Sequence, residues 1–400
     1  GEVEIRVQAS GLNFRDVMFA LGVLPDEAVE NGFAGATVGM ECAGVITRIG
    51  ADVSDFSVGD AVMAFAPGCF AGHVTTEITA VARKPEGLDA AAAATVPTVF
   101  FTVYYALARL AQLEAGERVL IHGAAGGVGQ AAIQYARHVG AEIFATVGTP
   151  EKRDVVRLLG VPEAHILDSR SLAFAEDVRR LTDGAGVDVV LNSLAGEAVE
   201  KNLSILRPFG RFLELGKRDF FEGTRVGLRP FRNNISYFGI DADQLMVERP
   251  QLARRLFAEV GELFDRGVFS PLPYRLYRHD EVVQAFRDMQ QAKHLGKLVV
   301  APPPAPDASA READDGVPAP EASPAFRIDP QGRYLVTGGL DGFGLASAQW
   351  LAEQGARELV LASRSGPKSA DAKQAVADLE AAGVAVEARA VDVADADAVQ

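Results

Sequence analysis

Two glycine-rich stretches carry the plainest chemistry in this sequence. The first, His122-Gly-Ala-Ala-Gly-Gly-Val-Gly129, follows the apolar run 118–122 and opens a helical pattern over 127–139. A strand, a glycine turn and a helix in that order bring backbone N–H groups and the positive end of a helix dipole up to a pyrophosphate. Gly123, Gly126, Gly127, Val128 and Gly129 are therefore expected to cradle a dinucleotide. The next strand ends Ala145-Thr-Val-Gly-Thr149, without the Asp or Glu that binds a ribose 2′-hydroxyl, and Lys152 follows. A 2′-phosphate would meet no carboxylate there, and Lys152 with Arg170 could pair with it. NADPH is the expected cofactor. Lys217 comes directly after Leu215-Gly216, at a strand end where sheets of this kind place residues facing the nicotinamide. The second stretch, Thr337-Gly-Gly-Leu-Asp-Gly-Phe-Gly344, again follows a strand and opens a helix, which predicts a second nucleotide fold.

The elements that position these residues fall into two rhythms. Residues 3–9, 44–49 and 61–65 read as short strands separated by glycine turns, which suits a small irregular β-barrel. From Arg118 the order becomes strand, turn, helix: strands at 118–122, 142–147, 187–192 and 210–215, helices at 127–139 and 151–159. That alternation predicts an α/β fold with a doubly wound parallel sheet. Residues 302–326 turn to Pro, Ala, Ser and acids and read as a solvated linker. Beyond it, 333–337 and 358–362 are strands of the second nucleotide fold, and the roughly 70 residues are too few for a complete domain of that kind.

Composition narrows the function classes. The 400 residues include 39 Lys and Arg against 54 Asp and Glu, a net charge of −15 that opposes binding to nucleic acid or an anionic membrane. With 48% hydrophobic and 23% charged residues the chain can bury sizeable cores. Two cysteines, Cys42 and Cys69, suit a reducing compartment, so a cytoplasmic location is expected. The uncharged stretch 90–108 contains Pro97 and is expected to be a connecting segment and a buried helix, not a membrane span. The opening Gly-Glu-Val-Glu-Ile-Arg-Val reads as cut from something longer.

Residues 1–301 resemble the medium-chain dehydrogenase/reductase superfamily, and within it the enoyl reductase domains of type I polyketide and fatty acid synthases. The phrases that carry the resemblance are Gly11-Leu-Asn-Phe-Arg-Asp-Val17, Val38-Gly-Met-Glu-Cys-Ala-Gly44, residues 95–105, the glycine loop, Val190-Leu-Asn-Ser-Leu194, Gly210-Arg-Phe-Leu-Glu-Leu-Gly-Lys217 and His294-Leu-Gly-Lys297. Residues 327–400 look like the opening of a short-chain ketoreductase, whose loop would be Gly338, Gly339, Gly342 and Gly344, with Ser363 and Arg364 after the second strand suiting NADPH. The resemblance implies a GroES-like substrate domain from 1–96 and again 240–301, a Rossmann domain at 97–239, the linker at 302–326, and a truncated ketoreductase Rossmann domain at 327–400. It implies cofactor contacts at Thr98, Gly126, Val128, Thr149, Lys152, Arg170, Asn192, Leu215, Gly216 and Lys297. Lys217 and Asp241 become the candidate proton donor or relay, although Asp241 could simply cap a helix. Asn13 would line the pocket, or form an Asx turn. Leu24 occupies a place where some relatives carry a proton-donating Tyr.

The implied reaction is reduction of a trans-2-enoyl thioester held by phosphopantetheine on an acyl carrier protein, among neighbouring synthase domains. Zinc enzymes of the superfamily carry a Cys in the first phrase and a His before the Glu of the second, where this chain has Asn13 or its neighbours and Met40. No metal is expected. A zinc-free quinone or enone oxidoreductase, a non-catalytic nucleotide-binding scaffold, and hydride addition followed by ring closure stand as the alternatives.

Overall fold

The computed structural model describes residues 1–30, 32–292, 294–303, 328–329, 331–393 and 395, which divide into one unit over Gly1–Pro306 and another over Asp307–Gln400. In the first unit, alternation of apolar and polar residues builds an antiparallel system, as a half-buried sheet requires. Its strands are β1 (Glu2–Leu12), β2 (Glu41–Ile49), β3 (Ala61–Phe65), β4 (His73–Glu77) and β5 (Val81–Arg83). β1 is central, pairing with both β2 and β4, and β2 and β3 carry the ladder on to β5.

The parallel sheet follows as β6 (Arg118–Ile121), β7 (Glu142–Val147), β8 (Ile166–Asp168), β9 (Val187–Asn192), β10 (Leu206–Glu214) and β11 (Ser236–Gly239). Their spatial order, β8-β7-β6-β9-β10-β11, is that of a doubly wound sheet whose strand order reverses between β6 and β9. Ligand crevices in such sheets open at the carboxyl ends of the strands at that reversal. The chain then returns to the barrel: β12 (Tyr274–Tyr277) pairs with β13 (Lys297–Val300), and β13 pairs antiparallel with β1.

The apolar stretch from Ala90 is broken into a short helix at Ala90–Ala93, a helix at Pro97–Val103 with Pro97 in its first turn, and π-helical turns at Tyr104–Leu110. Proline is tolerated there because its missing N–H would have had no helical partner. The stretch is long and apolar enough to pass for a span, but most of it lies inside the protein. Phe101 meets Phe65 of β3 and Phe257 of the Pro250–Asp265 helix at centroid separations of 5.3 and 6.4 Å, and Phe65 meets Phe257 at 5.1 Å. Each buried ring contributes on the order of 2–3 kcal/mol. This shared aromatic cluster locks the barrel to the helices flanking the parallel sheet.

In the second unit, β14 (Arg333–Thr337), β15 (Glu358–Ser363) and β16 (Ala385–Ala390) form a parallel sheet in chain order, with helices at Gly342–Glu353 and Ala370–Ala381. Apart from Pro302 and Pro303, the expected linker lies outside the described residues.

Candidate functional site

The glycine loop sits between β6 and the Gly127–Val139 helix, at the reversal of strand order. Gly123 has φ +61°, and a Cβ on Gly129 would stand 2.4 Å from Cα of Ala124, so the helix approaches the turn as closely as only glycine permits. The barrel reaches the loop directly: Gly296 donates its N–H to the carbonyl of Ala125 at 3.2 Å, bringing the start of β13 against it. Thr98 Oγ1 and Gln130 Oε1 are buried without a partner among the described residues, and Gln130 Nε2 donates to the same Ala125 carbonyl. A glycine cradle at the start of a helix and two orphaned oxygens fit a dinucleotide.

At the end of β7 the Arg170 side chain lies beside Gly148, its Nε 3.3 Å from where a Cβ would stand. Thr149 caps the Pro150–Leu158 helix by accepting from the Lys152 N–H, and Lys152 Nζ donates to the Ala292 carbonyl at 3.0 Å. Val128 is half-buried in the first helical turn. Leu24 is half-buried in the turn before the Asp26–Glu30 helix.

Asn13, Thr98 and Lys297 converge on a residue to which the sequence reading gave no role. Glu41, in β2, is fully buried and accepts from Asn13 Nδ2 at 2.7 Å, the Thr98 N–H at 2.7 Å and Lys297 Nζ at 2.5 Å. Lys297 also donates to Asn13 Oδ1 at 2.6 Å, and its side chain is 4% exposed. Asn13 is thus held at both ends of its amide. It also takes the N-cap place of the Phe14–Ala20 helix, where its backbone N–H donates to buried Asp16. Burial pushes the Asp16 carboxyl up, opposed by the N–H groups of Asn13 and Gly39.

This donor set does not suit zinc. An ammonium already occupies the space between Glu41 and Asn13 and would repel a divalent cation. Cys42 and Cys69 are both buried, and Cys69 donates its thiol to the Ala66 carbonyl. Among the described residues no group of three His, Cys, Asp or Glu could hold a metal ion.

The second convergence lies at the carboxyl ends of β10 and β11. Lys217 Nζ donates to the Ile240 carbonyl at 2.7 Å and pairs with Asp241 Oδ2 at 3.0 Å; a third of the lysine side chain stays exposed. Asp241 caps the Ala242–Glu248 helix through its other oxygen as well. Asp241 thus stands beside the Lys217 ammonium and at a helix N-cap at once. Leu215 and Gly216 form the turn leading to Lys217: the Leu215 N–H donates to the Asn192 carbonyl, and the Gly216 N–H donates to the Glu214 carboxylate at 2.7 Å. Asp243 shares the neighbourhood, accepting from the Phe33 N–H with one oxygen; burial first, then the charge of Asp241, raises its pKa.

Glu214 is buried at the end of β10 and also accepts from Asn192 Nδ2 at 2.6 Å. Desolvation raises its carboxyl to about 7 against these stabilising bonds. Behind Asn192 stand Asn202, His122 and Thr146, all buried. Burial lowers His122 to about 4, so its imidazole is neutral at pH 7. Glu41 opens β2 and Glu214 closes β10, and a lone carboxylate at the end of an apolar strand run is the signal by which both could be found. Asn202 gave none, because its partners are distant in sequence.

In the second unit, Gly338 and Gly342 have φ +66° and +47°, and a Cβ on Gly344 would stand 2.1 Å from the Gly338 carbonyl oxygen. Ser363 ends β15 with its hydroxyl accepting from the Gly366 N–H, and Arg364 is exposed.

The geometry agrees with what this chain is similar to. The family model for alcohol dehydrogenase GroES-like domains matches residues 1–98, that for zinc-binding dehydrogenases residues 162–300, and that for KR domains residues 332–400. A highly-reducing polyketide synthase of Aureobasidium melanogenum is 41% identical over 401 residues, covering 100% of this chain and 18% of its own length. The chain thus spans about a fifth of that relative. The solved CurK enoyl reductase is 44% identical with a TM-score of 0.70, over 76% of this chain and 91% of that one. A mycobacterial protein solved with NADPH is 25% identical with a TM-score of 0.66, over 76% and 92%.

Proposed function

Because this chain belongs to the enoyl reductases of the polyketide synthases, with the first part of a ketoreductase behind it, we propose that residues 1–301 reduce a trans-2-enoyl thioester with NADPH. The thioester would be carried on the phosphopantetheine of an acyl carrier protein, with other synthase domains as neighbours. The observation that carries this reading is the Lys217–Asp241 pair, set at the carboxyl ends of two strands of the sheet that also bears the glycine loop.

NADPH, when bound, supplies the hydride that enters the β-carbon. The chain binds the cofactor with the Gly123–Gly129 loop and with Thr98, Thr149, Asn192, Leu215 and Gly216, and Lys152 and Arg170 neutralise the 2′-phosphate. Arg170 beside Gly148, in a strand end without a carboxylate, supports NADPH over NADH. Asn13 presents its amide to the thioester, fixed by Glu41 and Lys297. Lys297 therefore acts by aligning Asn13 as well as by closing the barrel over the loop. Hydride addition leaves an enolate, and Lys217 Nζ holds the proton that the α-carbon takes, with Asp241 orienting the ammonium. Leu24 lines the acyl channel and donates nothing. No step needs a metal.

The test follows NADPH absorbance as the protein meets a crotonyl thioester of N-acetylcysteamine, with NADH and a quinone as controls. Loss of NADPH with formation of butyryl thioester is expected, and the Lys217→Ala variant should fall roughly 10²-fold or more in kcat while retaining NADPH affinity. Quinone turnover without thioester turnover would overturn the reading. An undiminished Lys217→Ala would remove that residue from proton transfer.

A further inference from the structure

Five buried side chains from separate parts of the sequence form one hydrogen-bond chain across the carboxyl ends of β7, β6, β9 and β10. Thr146 Oγ1 meets His122 Nδ1 at 2.9 Å, His122 Nε2 meets Asn202 Oδ1 at 2.8 Å, Asn202 Nδ2 meets Asn192 Oδ1 at 3.1 Å, and Asn192 Nδ2 meets Glu214 Oε2 at 2.6 Å. The direction of the whole chain follows from one backbone group. The Leu194 N–H can only donate, and it donates to Asn192 Oδ1, while Asn192 Nδ2 also serves the Leu194 carbonyl. With Asn192 fixed, Asn202 must turn its oxygen to His122, whose Nε2 then carries the proton and whose Nδ1 accepts from Thr146. Every donor points toward Glu214.

We propose that Glu214 is a positioning residue for the Lys217–Asp241 pair: its ionised carboxylate, at the receiving end of this chain, holds the Leu215–Gly216–Lys217 turn, and a proton on it releases that turn. This rests on the enoyl reductase reading. The ionised group has acceptors only and satisfies two donors, Asn192 Nδ2 and the Gly216 N–H. A proton on either oxygen removes the charge that strengthens both bonds and leaves that oxygen a weaker acceptor, with an O–H that needs a partner of its own. Asn192 cannot turn round without losing both Leu194 bonds, so the Gly216 bond is the one that yields. Gly216 leads directly into Lys217. The Glu214 carbonyl meanwhile accepts the Ile240 N–H, and Lys217 grips the Ile240 carbonyl, so Ile240 is held through both of its backbone groups from the two sides of the turn.

The charged and titratable groups facing Glu214 are Lys217, which favours the ionised form, Asp219, which opposes it, and Tyr237 of β11, whose own hydroxyl is pushed up to about 12 by burial and by Glu214 and Asp219. Burial dominates and brings the carboxyl to about 7, so the release falls in the neutral range. The sign is fixed: above that pH Glu214 is ionised and the turn is held, and below it the turn loosens. Turnover should therefore rise through pH 7 to a plateau.

Two readouts test this on the full chain. The amide proton of Gly216, observed with ¹⁵N-glycine, should titrate near pH 7 in the wild type and not in Glu214→Gln. Its kcat on the crotonyl thioester should follow the same midpoint. Glu214→Gln should lose that acid limb and about 10- to 100-fold in kcat, and Glu214→Asp should recover part of the rate. Should Glu214→Gln fail to fold, Asn202→Leu serves instead, and its Gly216 midpoint should move upward as the chain's support for the anion is lost. A flat Gly216 titration in the wild type, or a Glu214→Gln enzyme with wild-type rate and limb, overturns the proposal. If the wild type turns over no thioester, the enoyl reductase reading fails by itself, and the Gly216 titration still decides whether Glu214 governs the turn.

Discussion

Lys297 and Glu41 form an ion pair almost wholly removed from water, and such a pair is costly to break from one side only. The Coulombic gain in a buried pair roughly offsets desolvation, but deleting one partner leaves the other charged and unpaired. Lys297→Met should therefore destabilise the first unit by about 3–5 kcal/mol, with a large fall in Tm measured by calorimetry. Adding Glu41→Gln should recover much of that loss, because the stranded charge is then gone. A single variant as stable as the wild type would mean that the pair is solvated in solution. The same contacts explain why Asn13 was legible only as a pocket candidate: its phrase identified the residue, whereas the partners fixing its amide sit 28 and 284 positions away.

Elements with strong local signals were legible in the sequence. The Gly127–Val139 helix matches its expected bounds because a glycine turn starts it and Gly140, at φ +81°, stops it. Strands β6, β7, β9 and β14 were bounded by glycine or charge and lie within a residue of where they were read. β10 starts four residues earlier than the expected 210, running through Pro208 and Phe209, where the ladder to β9 shifts register. β8 and the β12–β13 pair went unread: they span three or four residues, too few for alternation to register, and β13 finds β1 across nearly the whole unit. The close approach at the glycine loop makes an element-level prediction. Gly129→Ala would drive a methyl into Ala124, forcing the helix away from β6 and costing about 1–3 kcal/mol. NADPH affinity should fall with it in a fluorescence titration, whereas Gly126→Ala, whose nearest neighbour would be 3.3 Å away, should be milder. Equal effects at both positions would refute the steric account.

At the scale of the whole chain, two nucleotide loops are embedded in separate cores. The apolar cluster around Val336, Leu359, Leu361 and Ala348 draws on residues of the second unit, whereas the Phe65–Phe101–Phe257 cluster and the sheet core draw on the first. Cooperativity follows shared core packing, so the chain should unfold in two calorimetric steps. Among the described residues the second unit rests on three strands and two helices, and it should melt first. Gly344→Ala separates the steps without touching the proposed active site. Its methyl would overlap the Gly338 carbonyl, so the lower transition should shift down or vanish while the upper one stays in place. NADPH oxidation with crotonyl thioester should continue at the wild-type rate, since Lys217, Asp241 and Asn13 all lie in the first unit. One transition moving as a whole, or a loss of thioester reduction, would mean that the two units act as a single folding and catalytic body.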